Sequence, residues 1–477
     1  MLSVDLSNQR IEEWAVIQQL HSGQAQEMED VEDCIMADRP NIVVIYTDDL
    51  GYGDLSCYES EEIRTPHLDS LAKDGVRFTD WYSNSPVCSP SRAALLTGRY
   101  PNRAGVPRIL AGKRGTPGLP PEETTLASAL KPHGYRTALF GKWHLGVAEE
   151  MRPNNHGFDE FFGFLAGCVD YYSHIFYWQQ ARGVDPIHDL WHNEREVWYN
   201  GRYFTELITE KAVDFIERGS EDPFFLFASY NAPHYPMHAP KAYLDRFPDL
   251  PPDRRIMAAM ISAVDDGVGS IVKALKDTGE YENTLIFFSS DNGPSRETRN
   301  WLDGREDLYY GGTAGIFRGH KGSLYEGGIR EPAILAFPDT IPSGQTICTP
   351  CAMFDVFPTA FEAAGLPLPG HKIDGKSVLG LVTGKKHEPH DRIFWEYGPN
   401  QLAVREGNWK LVLNGREDDV DDRDWRSRNG LEVVDLHLAD LSSDPSEKVN
   451  LVEQESELVE RLRQAVTSWD EEIGGHR

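Results

Sequence analysis

NIVVIYTDD (residues 41–49) sets five apolar residues in a row ahead of two carboxylates. A strand with one wet face would alternate polar and apolar residues. A continuous β-branched and aromatic run suits a strand buried on both faces, as in a parallel sheet. Four further segments share this character: YRTALFGKWHLG (135–146), PFFLFASYNAPHYP (223–236), NTLIFFSSDNG (283–293) and REPAILAFP (330–338). Between them lie the helical patterns HLDSLAKDG, ETTLASALKPHG, FTELITEKAVDFIERG and AMISAVDDGVGSIVKALKDTG. This alternation predicts an α/β fold, a large and mostly parallel sheet covered by helices on both faces. Ligands of such sheets bind beyond the carboxyl ends of the strands. Asp48, Asp49, Lys142, His144, His234, Asp291 and Asn292 all fall there.

After about residue 385 the pattern changes. RIFWEYG, LAVREGNWKLVLNG and LEVVDLHL read as short strands joined by turns, and NLVEQESELVERLRQAVTSWDEEI as an amphipathic helix with Leu451, Leu458, Leu462 and Val466 on one side. The acidic run REDDVDDRD between these strands reads as a solvated loop. The expected organisation is an N-terminal extension over 1–37, a main α/β domain over 38–385, and a C-terminal subdomain of antiparallel sheet plus helix over 386–477.

The 477 residues carry 47 basic and 76 acidic side chains, a net charge of −29. With no basic stripe, nucleic acid is excluded as a partner, and an anionic substrate needs a local positive site against the global field. No apolar stretch approaches the roughly 20 residues of a membrane span. Residues 1–38 hold nine acidic residues against Arg10 alone, unlike a secretory signal, so the expected location is the cytoplasm. Met36 opens MADRPNIVVIYTDD, a sensible start, and residues 1–35 read as a dispensable extension. Six cysteines in this length form no disulfide framework, and CTPC (348–351) has no second pair to complete a zinc site.

SNSPVCSPSRAALLTGRYPN (83–102) places Cys88 among turn residues, with Ser89 as a helix cap, Pro90 in the first turn and Gly98 as the stop. A thiol presented at a helix N-terminus reads as a reactive cysteine or as an ordinary loop residue. Asp48, Asp49, Asp291 and Asn292 offer hard oxygen ligands of the kind calcium or magnesium takes. Either pair alone reads as a turn or cap; two pairs at strand ends of one sheet favour a metal. Lys142 and His144 share a side if their strand continues that far. His234, between prolines, reads as a held functional imidazole or a structural one. RGHKGSLYEGG supplies Arg318, His320 and Lys321 in a glycine-rich loop suited to an anion, or to solvent. With Arg92, the set surrounds one cation with positive charge and two histidines, which suits a tetrahedral anion and proton transfer.

CSPSR (88–92) followed by AALLTGRYP resembles the signature of the type I sulfatases, members of the alkaline phosphatase superfamily. The similarity continues in family order from Arg39 through PNIVVIYTDDLGYGD, GYRTALFGKWHLG, HGFDEFFGF, APHYP, FFSSDNG, GHKGSLYEGGIREP and DLSSDPSEKVNL. The resemblance implies that a maturation enzyme oxidises Cys88 to formylglycine, with Pro90 and Arg92 helping to mark the site. One hydroxyl of the hydrated aldehyde would attack sulfur, and the second would lose its proton to expel the covalent sulfate. It further implies calcium, with magnesium as the alternative, on Asp48, Asp49, Asp291, Asn292 and an oxygen of the modified Cys88. Arg92 and Lys142 would support the formylglycine and the developing anion. Lys321 would grip sulfate oxygens and His234 assist the leaving alcohol, so that Lys142, His234 and Lys321 contact substrate. His144 would take the proton that triggers elimination.

The activity so implied is hydrolysis of a sulfate ester, exo-acting on a sulfated carbohydrate, with aryl sulfates accepted in assays. DYYSH (170–174) resembles a segment of the arylsulfatase B branch, which removes 4-sulfates from N-acetylgalactosamine ends. YYGGTAGIFRGHKG departs from that branch ahead of Lys321, which leaves the sugar open. Trp178, Trp191, Trp198 and Trp301 offer faces for sugar stacking or for packing. Two alternatives stand: a phosphate or phosphonate ester hydrolase on the same scaffold, and a non-catalytic binder of sulfated glycans. The intact CSPSR favours sulfate, and retention of both histidines favours catalysis. Cys88→Ala is expected to abolish turnover, and His144→Ala to accumulate sulfated enzyme. Absence of any adduct by mass spectrometry would count against that role for His144.

Overall fold

The computed structural model describes residues 39–177, 185–296, 311–385, 388–398, 400–416 and 433–474. The extension over residues 1–35, Trp178, Trp301 and nearly all of REDDVDDRD lie outside them. Each of the five apolar runs forms a strand of one sheet: Asn41–Thr47, Arg136–Lys142, Phe224–Ser229, Thr284–Ser290 and Arg330–Ala336. Asn41–Thr47 is central, pairing in parallel with Thr284–Ser290 on one side and Phe224–Ser229 on the other. Arg136–Lys142 and then Glu160–Phe164 continue the parallel order. Beyond Thr284–Ser290 the direction reverses, because Arg330–Ala336 runs antiparallel to it. The helical turn Glu326–Ile329 leads straight into that strand with no crossover, so it starts where a parallel strand would end. Val76–Tyr82 pairs antiparallel with it; this strand alternates in burial over its first half and lacks the continuous run that marks the others.

Alternate side chains of the central strand enter different cores, as the period of two requires. Val43 and Ile45 join the helices Phe204–Glu217 and Pro252–Asp277. Ile42, Val44 and Tyr46 join Cys88–Thr97, Leu126–Leu130 and Val356–Ala363. The longest helix, Pro252–Asp277, buries Met257, Met260, Ile261, Val264, Val268, Ile271 and Leu275, a stripe at spacings of three and four. Both faces of the sheet are thus covered, as the sequence pattern predicts.

A second sheet orders Ile393–Tyr397, Gln401–Glu406, Trp409–Arg416 and Val433–Asp440 as antiparallel neighbours. The helix Ser456–Ile473 buries Val459, Leu462, Val466 and Trp469 in the same core as this sheet, while Leu451 and Leu458 are only partly covered. That core also takes in Tyr82, Ala94 and Tyr325 from the main sheet's side. The Trp395 indole donates to the Ser83 carbonyl at 2.7 Å. The small sheet therefore rests on the segment leading into Cys88 and on the helix that follows.

Close strand packing near the carboxyl edge leaves no room for a side chain at Gly141. Gly141 adopts φ 120°, and a Cβ there would lie 1.8 Å from the Ser229 carbonyl oxygen. Gly141→Ala is expected to cost about 1–3 kcal/mol in overpacking and a further ~1–3 kcal/mol in backbone strain. A thermal melt checks this, and an unchanged Tm would contradict it.

Candidate active site

Parallel strands bring their carboxyl ends to one edge, and there the polar clusters converge. Asp48 and Asp49 follow Asn41–Thr47, Lys142 ends its strand, Asp291 and Asn292 follow Thr284–Ser290, and His234 lies beyond Phe224–Ser229. Cys88 is the first residue of the helix Cys88–Thr97, all ten residues of which are buried. Ser89 is not its cap: Val87 is, without a side-chain bond, and the Ser89 hydroxyl accepts the Leu110 amide at 3.1 Å. Gly98 closes the helix in the left-handed conformation at φ 67°, as its position suggests. Burial pushes the Cys88 thiol far up, against the pull of Lys142 and Lys321. At neutral pH this is no thiolate nucleophile.

Arg92 lies four residues after Cys88, on the same helix face. Its Nε is 2.9 Å and its Nη2 2.8 Å from Asp291 Oδ2, with Asp48 Oδ1 3.8 Å away. Its Nη1 donates to the Ser229 hydroxyl at 2.7 Å, which in turn donates to the Lys142 carbonyl at 2.7 Å. Its guanidinium also stands over the Tyr46 ring at 5.4 Å. Lys142 Nζ is 2.6 Å from Asp48 Oδ2; burial would lower its pKa, and Asp48 more than offsets that. On the other side Asn292 Nδ2 donates to Asp49 Oδ1 at 2.7 Å, and Lys321 Nζ is 2.9 Å from Asp49 Oδ2. Lys321 Nζ is also 3.2 Å from His234 Nε2. His234 Nδ1 donates to the Tyr235 carbonyl at 2.6 Å, which leaves Nε2 as the lone-pair nitrogen.

The strand carrying Lys142 stops there, so His144 does not share its side by strand alternation. His144 instead takes a left-handed backbone at φ 54°, as Asp49 does at φ 64°, each a strained conformation worth about 1–3 kcal/mol. Nε2 of His144 lies 3.1 Å from the Leu110 carbonyl and must donate to it. Nδ1, buried with no hydrogen bond, then holds the lone pair. Burial, and then Lys142, holds this imidazole well below its ordinary pKa. His144 is therefore neutral at pH 7, with an unused proton acceptor.

Whether a cation fits can be asked of the oxygens. Asp48 Oδ1 and Asn292 Oδ1 are buried without a hydrogen-bond partner, a costly arrangement that a cation would relieve. Asp48, Asp49, Cys88 and His234 each offer a ligand atom within 4.8 Å of the others. Burial, then the neighbouring Asp48 carboxylate, pushes Asp291 up to about 6. Crowded carboxylates with orphaned oxygens fit a hard divalent ion.

Not every expected residue arrives. Arg318 turns away, its Nη1 donating to the Glu447 carbonyl at 3.1 Å, and His320 Nδ1 donates to the Lys321 carbonyl at 2.9 Å. Of that loop, only Lys321 reaches the cluster. Tyr171 of DYYSH holds the His234 loop, its hydroxyl lying 2.8 Å from the Asn231 carbonyl and 2.9 Å from that of His234. Trp191 is 9% exposed beneath Arg152, whereas Trp198 is 63% exposed and stacks on His188. Ser229 and Tyr46, which support Arg92, carried no signal beyond their place in apolar strands.

The family model for Sulfatase matches residues 40–366, and that for N-sulphoglucosamine sulphohydrolase, C-terminal, matches 312–472. Arylsulfatase A of Homo sapiens is 35% identical over 445 residues, 87% of this chain and 83% of that protein. N-acetylgalactosamine-6-sulfatase of Canis lupus familiaris is 34% identical over 400 residues, 78% of this chain and 71% of that one. In fold the chain is similar to Ps i-CgsB in complex with k-i-k-neocarrahexaose, with a TM-score of 0.78 and 32% identity, covering 90% and 92% of the two chains.

Removing Arg92 would leave the buried Asp291 carboxylate without its ion-pair partner, while Asp48 would keep Lys142. Arg92→Met is expected to lower stability by about 3–5 kcal/mol. Denaturant unfolding reads this directly, and a loss below ~1 kcal/mol would mean the guanidinium is not the clamp described.

Proposed function

The chain belongs to the sulfatase family, and we propose that it removes sulfate from the end of a sulfated carbohydrate through a formylglycine made from Cys88. The carrying observation is Cys88 itself: a buried thiol held un-ionised at the first residue of a helix, beside oxygen ligands and three cations. A thiol so placed is a poor nucleophile, which supports its reading as a precursor. Hydrated formylglycine supplies two hydroxyls on one carbon, one to attack sulfur and one to drive sulfate out by elimination. Calcium or magnesium, when bound, would supply Lewis acidity. Asp48, Asp49, Asp291 and Asn292 would hold it.

The chain's own groups divide the remaining work. Lys142 and Lys321 approach from opposite carboxylates and would neutralise the sulfate oxygens. Nδ1 of His144 is the proton acceptor for elimination. His234 Nε2, within reach of the Lys321 ammonium, would take a proton from it and pass it to the leaving alcohol. Cys88, Arg92 and Lys142 are at most 2% exposed, a depth that favours a terminal sulfate over one inside a polymer. Carbohydrate is favoured by the names of the relatives, an N-acetylgalactosamine-6-sulfatase and a protein solved with a neocarrahexaose.

Mass spectrometry of the tryptic peptide Phe78–Arg92 from the native host is expected to show aldehyde in place of thiol at Cys88. Paired assays are expected to favour aryl sulfate over aryl phosphonate. An unmodified thiol in an active enzyme would overturn the formylglycine reading, and preference for phosphonate would overturn the sulfate one.

A further inference from the structure

Lys321 sits on a stretch with no helix or strand between residues 311 and 325, yet its Nζ is placed within 3.2 Å of both Asp49 and His234. Two of the stretch's moorings are backbone bonds from the site's own neighbours. The Lys321 amide donates to the Pro294 carbonyl at 3.1 Å, and the Gly322 amide to that of Pro86 at 2.9 Å. Further moorings come from the small C-terminal sheet and the segment after it. The Ser323 hydroxyl donates to the Arg416 carbonyl at 3.2 Å, and Arg318 donates to the Glu447 carbonyl at 3.1 Å. The Glu447 carboxylate accepts the Glu326 amide at 2.6 Å.

Lys410 joins these last two acids. Its Nζ is 2.8 Å from Glu326 Oε1 and 3.1 Å from Glu447 Oε1, with all three side chains fully buried. The second Glu326 oxygen takes Arg330 Nη1 at 2.9 Å and the Tyr82 hydroxyl at 2.7 Å. Against the effect of burial, Lys410 and Arg330 draw Glu326 down to about 2. Burial pushes Glu447 up to about 7 even beside Lys410. Without that ammonium, two carboxylates would face each other out of water, and one must take a proton or move. Glu326 and Arg318 flank Lys321 on either side, so a shift of the acids shifts the loop.

We propose that Lys410 is a positioning residue for sulfate ester hydrolysis: by tying Glu326 to Glu447 it fixes both shoulders of the loop and hence the place of Lys321. This rests on the sulfatase reading above. A misplacement of about 1 Å costs on the order of 100-fold in a positioned reaction, so the effect is large enough to measure.

The test is a double-mutant cycle in the full-length, matured chain. It compares wild type, Lys410→Met, Lys321→Ala and the double variant, reading kcat/KM on an aryl sulfate and Kd for inorganic sulfate. Lys410→Met is expected to lower kcat/KM by roughly 10- to 100-fold and to weaken sulfate binding. In the Lys321→Ala background it is expected to add less than about 2-fold, because residues acting through one another are not additive. Equal losses in both backgrounds would assign Lys410 to general stability and overturn the proposal, as would wild-type behaviour of Lys410→Met. Should that variant fail to fold, Glu447→Gln keeps the volume and an acceptor for the Glu326 amide, and runs the same cycle. If wild type cleaves no sulfate ester but its sulfate affinity still shows the non-additive pattern, the sulfatase reading fails and this positioning role stands.

Discussion

One buried guanidinium decides where everything else in the site can be. Arg92 stands between Asp291 and Asp48, acids at the ends of two adjacent parallel strands. In a dry interior these carboxylates would repel strongly, and a positive charge between them turns that repulsion into a fixed separation. The guanidinium is itself held by the Ser229 hydroxyl and the Tyr46 ring, so three neighbouring strands are registered against one helix. Because Cys88 precedes Arg92 by one helical turn, fixing the arginine fixes the cysteine. The spacing in CSPSR is therefore a dimension of the fold, whatever else it marks.

That dimension shows why much of the fold was legible and part of the site was not. Continuous apolar runs announce doubly buried strands here because they are short, rich in β-branched and aromatic residues and closed by turn residues. The apolar run Ile256–Ile261, by contrast, lies inside a long helical pattern. Strand ends then locate Asp48, Asp49, Asp291 and Asn292 without reference to any relative. Val76–Tyr82 escaped because an alternating, interrupted strand looks like ordinary amphipathic sequence. His144 could not be placed by counting, since the strand ends at Lys142 and the backbone then turns left-handed. Ser89 has the composition of a cap but bonds to a segment twenty-one residues away. Arg318 and Lys321 look alike in sequence, and only the docking of the C-terminal sheet sends one to Glu447 and the other to Asp49. Pairings across tens or hundreds of residues leave no local signal.

The small sheet is then more than a cover for one edge. Its core reaches Ala94 in the cysteine helix and Tyr325 beside the lysine loop, and Trp395 bonds to Ser83 just ahead of Cys88. Two sides of the site thus lean on residues that come late in the chain. The catalytic edge is complete only when the last strands are in place.

Complete burial of the helix Cys88–Thr97 has a consequence in time. If Cys88 is matured as proposed, a modifying enzyme must grasp Cys88, Pro90 and Arg92, and none of the three is reachable once the sheet has closed over them. Oxidation and folding are then competitors for one nascent segment. A molecule that folds first keeps its thiol for as long as it stays folded, and no later supply of the modifying enzyme can recover it. The active fraction of a preparation would record a race between two rates, set by how quickly the chain emerges and how much modifying enzyme waits for it.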